Sequence, residues 1–253
     1  MIAQPIDATR ELEAAAKILY ARWTLALPTA FASLAIAGIV FFVIGAVVVT
    51  GIAALLMDRA GAVAALGAGA STVGFAVLAI ALVSTAAHAL VLAAADDAWA
   101  GRDPDYGAAF RVTLARFPAL LVAAFATALL YAIPVVLSFF IVGIPLLFVL
   151  GYFLMYVRAA IIIGGEDGLT AIATSFRMAS SRSGPSLVAF GGMIAAFIIG
   201  RIVDAATIHL PGIGLVTAFL VGGATAAYIA LVEVRFYDLL RTETAVVPPL
   251  QLR

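Results

Sequence analysis

The chain contains no cysteine. That excludes a disulfide framework, thiolate chemistry and any cysteine-based metal site. Charge is scarce as well: 11% of the 253 residues are charged, and acids and bases cancel to zero. A soluble domain carries about 25% charged residues. With no basic excess, nothing points to a nucleic-acid partner. The recognisable catalytic signatures are missing too: Gly-x-Ser-x-Gly, His-Glu-x-x-His, a P-loop and an Asp-rich phosphotransfer pattern. No metal or other cofactor is expected. The first residues include Asp7, Glu11 and Glu13, with no small-residue cleavage site after a short apolar core, so they do not read as a signal peptide.

Apolar residues are what the chain has in excess. They make up 65% of it, the mean hydropathy is +1.20, and they fall in long blocks. About 20 apolar residues cross a bilayer's hydrocarbon core. The blocks lack the period-two alternation of barrel strands. The expected fold is therefore all-α, a polytopic membrane protein of six transmembrane helices. The spans fall at about 27–56, 70–95, 118–138, 145–163, 186–207 and 213–235, within a single membrane domain of residues 1–241. A flexible cytoplasmic tail, 242–253, follows, where Pro248-Pro249 ends regular structure. Pro134 is the one candidate for a broken span.

The central stretch from Asp105 to Ile163 shows the unit: a short amphipathic piece, then a helical hairpin through the membrane. Short interfacial helices are expected at 7–23, 105–117 and 167–181, with Pro118 and Pro185 opening the spans that follow. On the first, Leu12, Ala15, Ala16, Leu19 and Trp23 share a face. Tyr106, Phe110, Leu114 and Phe117 form the apolar side of the second. On the third, Leu169, Ile172, Ala173 and Phe176 form it, opposite Thr170, Thr174, Arg177 and Ser181. Phe110-Arg111, Arg116 and Pro118 match Phe176-Arg177, Arg182 and Pro185, which reads as a repeated unit. Generic loop-helix composition is the alternative.

Orientation follows from the cations. Arg10, Lys17, Arg22, Arg102, Arg111, Arg116, Arg158, Arg177, Arg182, Arg235, Arg241 and Arg253 fall on one side of a six-span chain. Of the 14 basic residues, this leaves Arg59 and Arg201 on the other. The positive-inside rule then places both termini and both amphipathic loops in the cytoplasm.

Few polar residues interrupt the spans. His88 follows Ser84 and Thr85 by one turn and reads as a proton relay, a ligand, or a satisfied helix–helix hydrogen bond. Asp96 and Asp97 end the second span, as headgroup or cation contacts or as solvated helix-end charges. Arg201 and Asp204, three residues apart near the outer end of span five, form a functional polar spot or a structural ion pair. Small residues mark helix approach: Ala70 to Gly74, and the stripe of Gly192, Ala196 and Gly200.

Glu166, Gly168, Ser175 and Arg177, with Tyr237, Asp238 and Arg241 after the last span, form short motifs. These resemble elements of uncharacterised prokaryotic six-span proteins akin to the membrane domain of glycerophosphoryl diester phosphodiesterases. No phosphodiesterase domain is present in these 253 residues. The resemblance implies a membrane-embedded accessory or scaffold module, not hydrolase activity. The expected function is non-enzymatic binding of lipid headgroups, through Arg111, Arg116, Arg177 and Arg182, or of a membrane partner such as a separately encoded enzyme. A small-solute transporter or channel is the alternative, and an intramembrane enzyme built on His88, Asp96 and Asp97 the third reading.

Overall fold

A computed structural model of the chain describes residues 6–138, 141–207, 209–210 and 212–246, with the side chains of 213 and 243–246 excepted. Pro211 of the last turn, most of the expected tail and Arg253 lie outside the described residues. The fold is all-α, with no strand among the described residues. In order the helices are α1 (Ala8–Ala21), α2 (Leu27–Leu56), α3 (Arg59–Trp99), α4 (Tyr106–Ser138) and α5 (Gly143–Leu154). They continue with α6 (Val157–Ile162), α7 (Gly168–Ser181), α8 (Ser183–Thr207) and α9 (Ile213–Val246). Six segments are long and apolar enough to cross a membrane: α2, α3, α4, α5 with α6, α8 and α9.

Local chemistry explains several boundaries. Asp7 caps α1 by accepting the Arg10 N–H at 3.2 Å, and Asp58 caps α3 through Gly61 N–H at 3.0 Å. Asp105 accepts the N–H groups of Gly107 and Ala108 at the start of α4. The C-terminus of α3 is closed from a distance: Arg22 donates to Ala98 O at 2.8 Å and Gly101 O at 3.0 Å. A cation there also complements the helix dipole. α1 and α7 are both 14 residues long, and both end on an arginine C-cap (Arg22 and Arg182) with nearly the same backbone angles. The structural likeness thus pairs the first and third units.

The structure departs from the sequence reading at several places. The second span begins well before residue 70: α3 is one helix of 41 residues, about 61 Å at 1.5 Å per residue. Isolated glycines cost only about 1 kcal/mol each in a helix. α2, lying alongside, holds the stretch helical, with Thr50 seated against Gly69. Ala70 and Gly74, the expected small step, are exposed. Nor is 105–117 a separate interfacial helix, because α4 continues through Pro118 and also through Pro134. A proline inside a helix costs about 3 kcal/mol. Ahead of Pro118, buried Ala109 and Thr113, with Tyr106 and Phe117, hold the segment in line against the core. Span four, expected unbroken over 145–163, is interrupted at Met155-Tyr156 between α5 and α6.

The packed core sits at one end of the bundle. It takes in Ala89 to Ala98 of α3, Leu120 and Ala123 of α4, Leu154 to Ile162, and Ala227 to Leu240 of α9. This end also carries α1, α7 and most of the basic residues. Toward the other end the apolar side chains of α2, α3, α4 and α8 are exposed. Small residues make the close crossings: Thr29 of α2 donates to Gly223 O of α9 at 3.1 Å, and Gly200 of α8 faces Thr225. Gly192 receives Leu12 of α1. A double contact from Arg235 to Glu11 (2.7 and 3.4 Å) ties α1 to α9, with the same guanidinium 4.9 Å from the Trp99 ring.

Candidate functional site

The interruption of span four creates the polar centre of the bundle. Where one helix stops and another starts, carbonyls and N–H groups lose their intrahelical partners. In a bilayer each must be satisfied by protein. Ser175 of α7 bridges the gap: its hydroxyl donates to Phe153 O at 2.6 Å and accepts the Tyr156 N–H at 3.1 Å. On the opposite side, Glu233 of α9 caps α6. Its Oε1 accepts the Ala159 N–H at 3.2 Å. Tyr156, wholly buried, reaches Ser186 of α8 with its hydroxyl at 3.3 Å. Ser175→Ala therefore leaves the buried Tyr156 N–H and the part-buried Phe153 carbonyl without this partner. It is expected to cost about 1–3 kcal/mol, read as a lowered thermal midpoint of the purified protein in detergent. An unchanged midpoint would refute the bridge.

Glu233 is 1% exposed. Its second oxygen, Oε2, lies 3.0 Å from Nε2 of His88 on α3 and 3.9 Å from a terminal nitrogen of Arg158 on α6. One carboxylate thus joins three helices and compensates the one arginine in span four. Such a centre is costly in an apolar medium and is tolerable because its members satisfy one another. Beside it opens a cavity of about 400 Å³. α4 contributes Leu120, Ala123, Ala124, Thr127 and Tyr131 to its wall; Gly151 and Leu154 come from α5, Phe190 and Met193 from α8, and Thr85 from α3. Arg158 and Glu233 supply its charges.

The residues expected from sequence are distributed as follows. His88 finds a carboxylate partner, as a helix–helix hydrogen bond. Asp96 and Asp97 lie eight and nine positions along the same helix, about 12–14 Å away along its axis. They do not meet it. Asp97 instead binds Arg102 at 2.7 Å. Arg201 and Asp204 form their i,i+3 pair at 3.5 Å, away from the polar centre. Of the motif residues, Ser175 bridges the helix break, and Gly168 packs on the α4 backbone. Tyr237 is buried with its hydroxyl against Gly164. Glu166 turns between α6 and α7, its N–H on Ala160 O at 3.1 Å. Asp238 and Arg241 are exposed. Arg116 donates to Gly165 O at 3.0 Å, and Arg177 reaches Thr174 at 3.4 Å. Arg111, Arg177 and Arg182 are exposed at the same end.

Two points escaped the sequence reading. Glu233 was absent from it, although an ionisable residue within the last apolar run is itself a signal. The faces of α7 also follow the expectation only in part. Ile172 and Phe176 pack on the core and Thr170, Arg177 and Ser181 are exposed, but three residues are placed otherwise. Thr174, Ser175, Ala171, Met178 and Ala179 are buried, while Leu169 and Ala173 are exposed. On α4, similarly, Phe110 and Leu114 are exposed and Ala109 and Thr113 buried. At these positions small or hydroxylated residues turn inward and the larger Phe110, Leu114 and Leu169 outward, while Tyr106, Phe117, Ile172 and Phe176 still pack on the core.

No family model matches the chain, and neither a curated protein nor a solved structure matches it. The class of protein is that of its fold, a multi-pass helical membrane protein.

Proposed function

We propose that the chain is a non-enzymatic protein of a prokaryotic cytoplasmic membrane, with both termini in the cytoplasm. It serves as an accessory or scaffold module that binds anionic lipid headgroups at its basic end. The observation that carries this reading is the outward pairing of cations with apolar side chains there. Leu169, Ala173 and Arg177 stand one helical turn apart on the exposed side of α7, and exposed Phe110 and Leu114 flank Arg111 on α4. Such a face suits the boundary between acyl chains and headgroups. Each basic residue near an anionic surface contributes about 1 kcal/mol. The motif resemblance described above supports a separately encoded enzyme as the module's partner.

The test is native mass spectrometry with phosphatidylglycerol against phosphatidylcholine. The natural protein is expected to retain phosphatidylglycerol preferentially, and the combined Arg→Gln set at 111, 116, 177 and 182 to lose most of that preference. Arg201→Gln, at the far end, should behave as the natural protein does. No preference at all, or one untouched by the four changes, rejects the reading.

Orientation has its own check, made simple by the absence of native cysteine. Met57→Cys is expected to react with a membrane-impermeant maleimide on intact cells, and Thr242→Cys only after permeabilisation. The reverse pattern would sink the assignment of the termini.

One observation favours a second reading, a small-solute transporter: an interrupted span lies beside a cavity that Arg158 and Glu233 line. Proteoliposomes showing no flux above protein-free vesicles would count against it.

A further inference from the structure

We propose that the cavity beside Arg158 is a binding site for a single-tailed anionic amphiphile, with its oxyanion head on the Arg158 guanidinium and its tail along α4. This site is independent of the headgroup surface on α4 and α7.

The argument starts from the division of partners around Glu233. The carboxylate is already served at 3.2 Å by the Ala159 N–H and at 3.0 Å by His88. Arg158 approaches it through one nitrogen only, at 3.9 Å, beyond hydrogen-bond range. A guanidinium carries five donors in a planar fork suited to carboxylate and phosphate. Most of that fork is thus unspent on Glu233, and the Arg158 side chain keeps 45% of its exposure. Glu233 neutralises the charge nearby while leaving the donors available. It therefore makes an arginine tolerable within an apolar crossing without consuming it as a ligand group.

The rest of the wall selects the remainder of the ligand. From Leu120 to Tyr131 the cavity follows α4 for eleven residues, about 16 Å along its axis. Leu120, Ala123, Leu154, Met155, Phe190 and Met193 make this length mainly apolar. Gly151 adds no side chain to this wall, and a β-carbon there would stand 3.5 Å from Phe190 and 3.6 Å from Tyr131, in ordinary contact. A small inorganic ion would leave that apolar length unfilled, and a neutral chain would leave the guanidinium unmatched. An oxyanion with one apolar tail satisfies both, and its volume range fits a cavity of about 400 Å³. The head is a carboxylate or a phosphate monoester, both of which match the fork.

The test uses the full chain in a neutral maltoside micelle, with laurate, dodecyl phosphate, dodecanol and inorganic phosphate as probes. Native mass spectrometry reads the bound adduct by mass. A saturable one-to-one adduct with laurate or dodecyl phosphate is expected, the tighter of the two naming the head. Arg158→Gln should weaken it roughly tenfold or more, and Arg158→Lys less. Ala124→Phe, which fills the cavity without touching the charges, should abolish it. That variant keeps the test decisive if Arg158→Gln fails to fold. Arg111→Gln and Arg177→Gln should leave the adduct unchanged, which separates this site from the headgroup surface. Three results would overturn the proposal: no saturable adduct; an adduct indifferent to both Arg158→Gln and Ala124→Phe; or binding of dodecanol or inorganic phosphate as tight as that of the amphiphile.

Discussion

Replacing Glu233 by alanine is expected to destabilise the folded bundle by about 3–5 kcal/mol, the cost of breaking a buried charge pair from one side. From α9 the carboxylate meets two other helices at once, α3 and α6. Its loss leaves the Ala159 N–H at the start of α6 without an acceptor, His88 without its partner, and Arg158 without a counter-charge. Ala159 and His88 are buried and cannot turn to water easily, whereas Arg158 keeps 45% of its side-chain exposure. Glu233→Gln keeps an oxygen for the Ala159 N–H and removes only the charge, so a smaller loss of about 1–3 kcal/mol is expected. His88→Ala tests the same contact from α3. In a double-mutant cycle His88 and Glu233 should couple by about 0.5–3 kcal/mol. Equilibrium unfolding in mixed detergent micelles measures the natural protein, the three single variants and the double variant. A Glu233→Ala variant within about 0.5 kcal/mol of the natural protein would show that the centre is a surface-like pair.

The second large effect falls on Gly168, the first residue of α7. A β-carbon built there would stand 2.5 Å from Ala119 O and 2.8 Å from Ala123 N, both in the backbone of α4. A flexible side chain could move aside; a helix backbone cannot without shifting α7 or α4. Overpacking of this kind costs about 1–3 kcal/mol. Gly168→Ala should therefore lower the thermal midpoint, and Gly168→Leu more so. The displacement also loosens Ser175 two turns along, so segment 164–182 should become more open to trypsin. Gly184→Ala is the matched control, because a β-carbon there meets nothing within 4 Å and α8 gains helix propensity. Equal losses in the two variants would mean that helix packing at Gly168 is not the cause.

Much of this architecture can be read along the chain because hydropathy and length are local properties. A block of apolar residues needs a helix wherever lipid surrounds it, whatever its neighbours are. Hence the six crossings and the start and end of α2 follow from sequence alone. Which face of a helix turns inward does not. The rule that apolar sides are buried comes from soluble proteins. For α7 it holds at Ile172 and Phe176, which pack on the core, and fails at Leu169 and Ala173, which face outward while Thr174 and Ser175 face inward.

The candidate site lies at the other extreme. Nothing around Met155-Tyr156 marks a break: there is no proline and no glycine at that point. The interruption exists because Ser175, 19 residues after Tyr156, and Glu233, 74 after Ala159, supply the partners that a continuous helix would not need. His88 and Glu233 are 145 residues apart and meet only because α3, α6 and α9 converge. Sequence alone thus determined how often this chain crosses an apolar layer and where its cations gather, since each depends on composition within one segment. Tertiary packing alone decided that Pro118 lies inside a helix, that span four is broken, and that one glutamate holds three helices together. Those outcomes depend on which groups of distant segments come within hydrogen-bond reach.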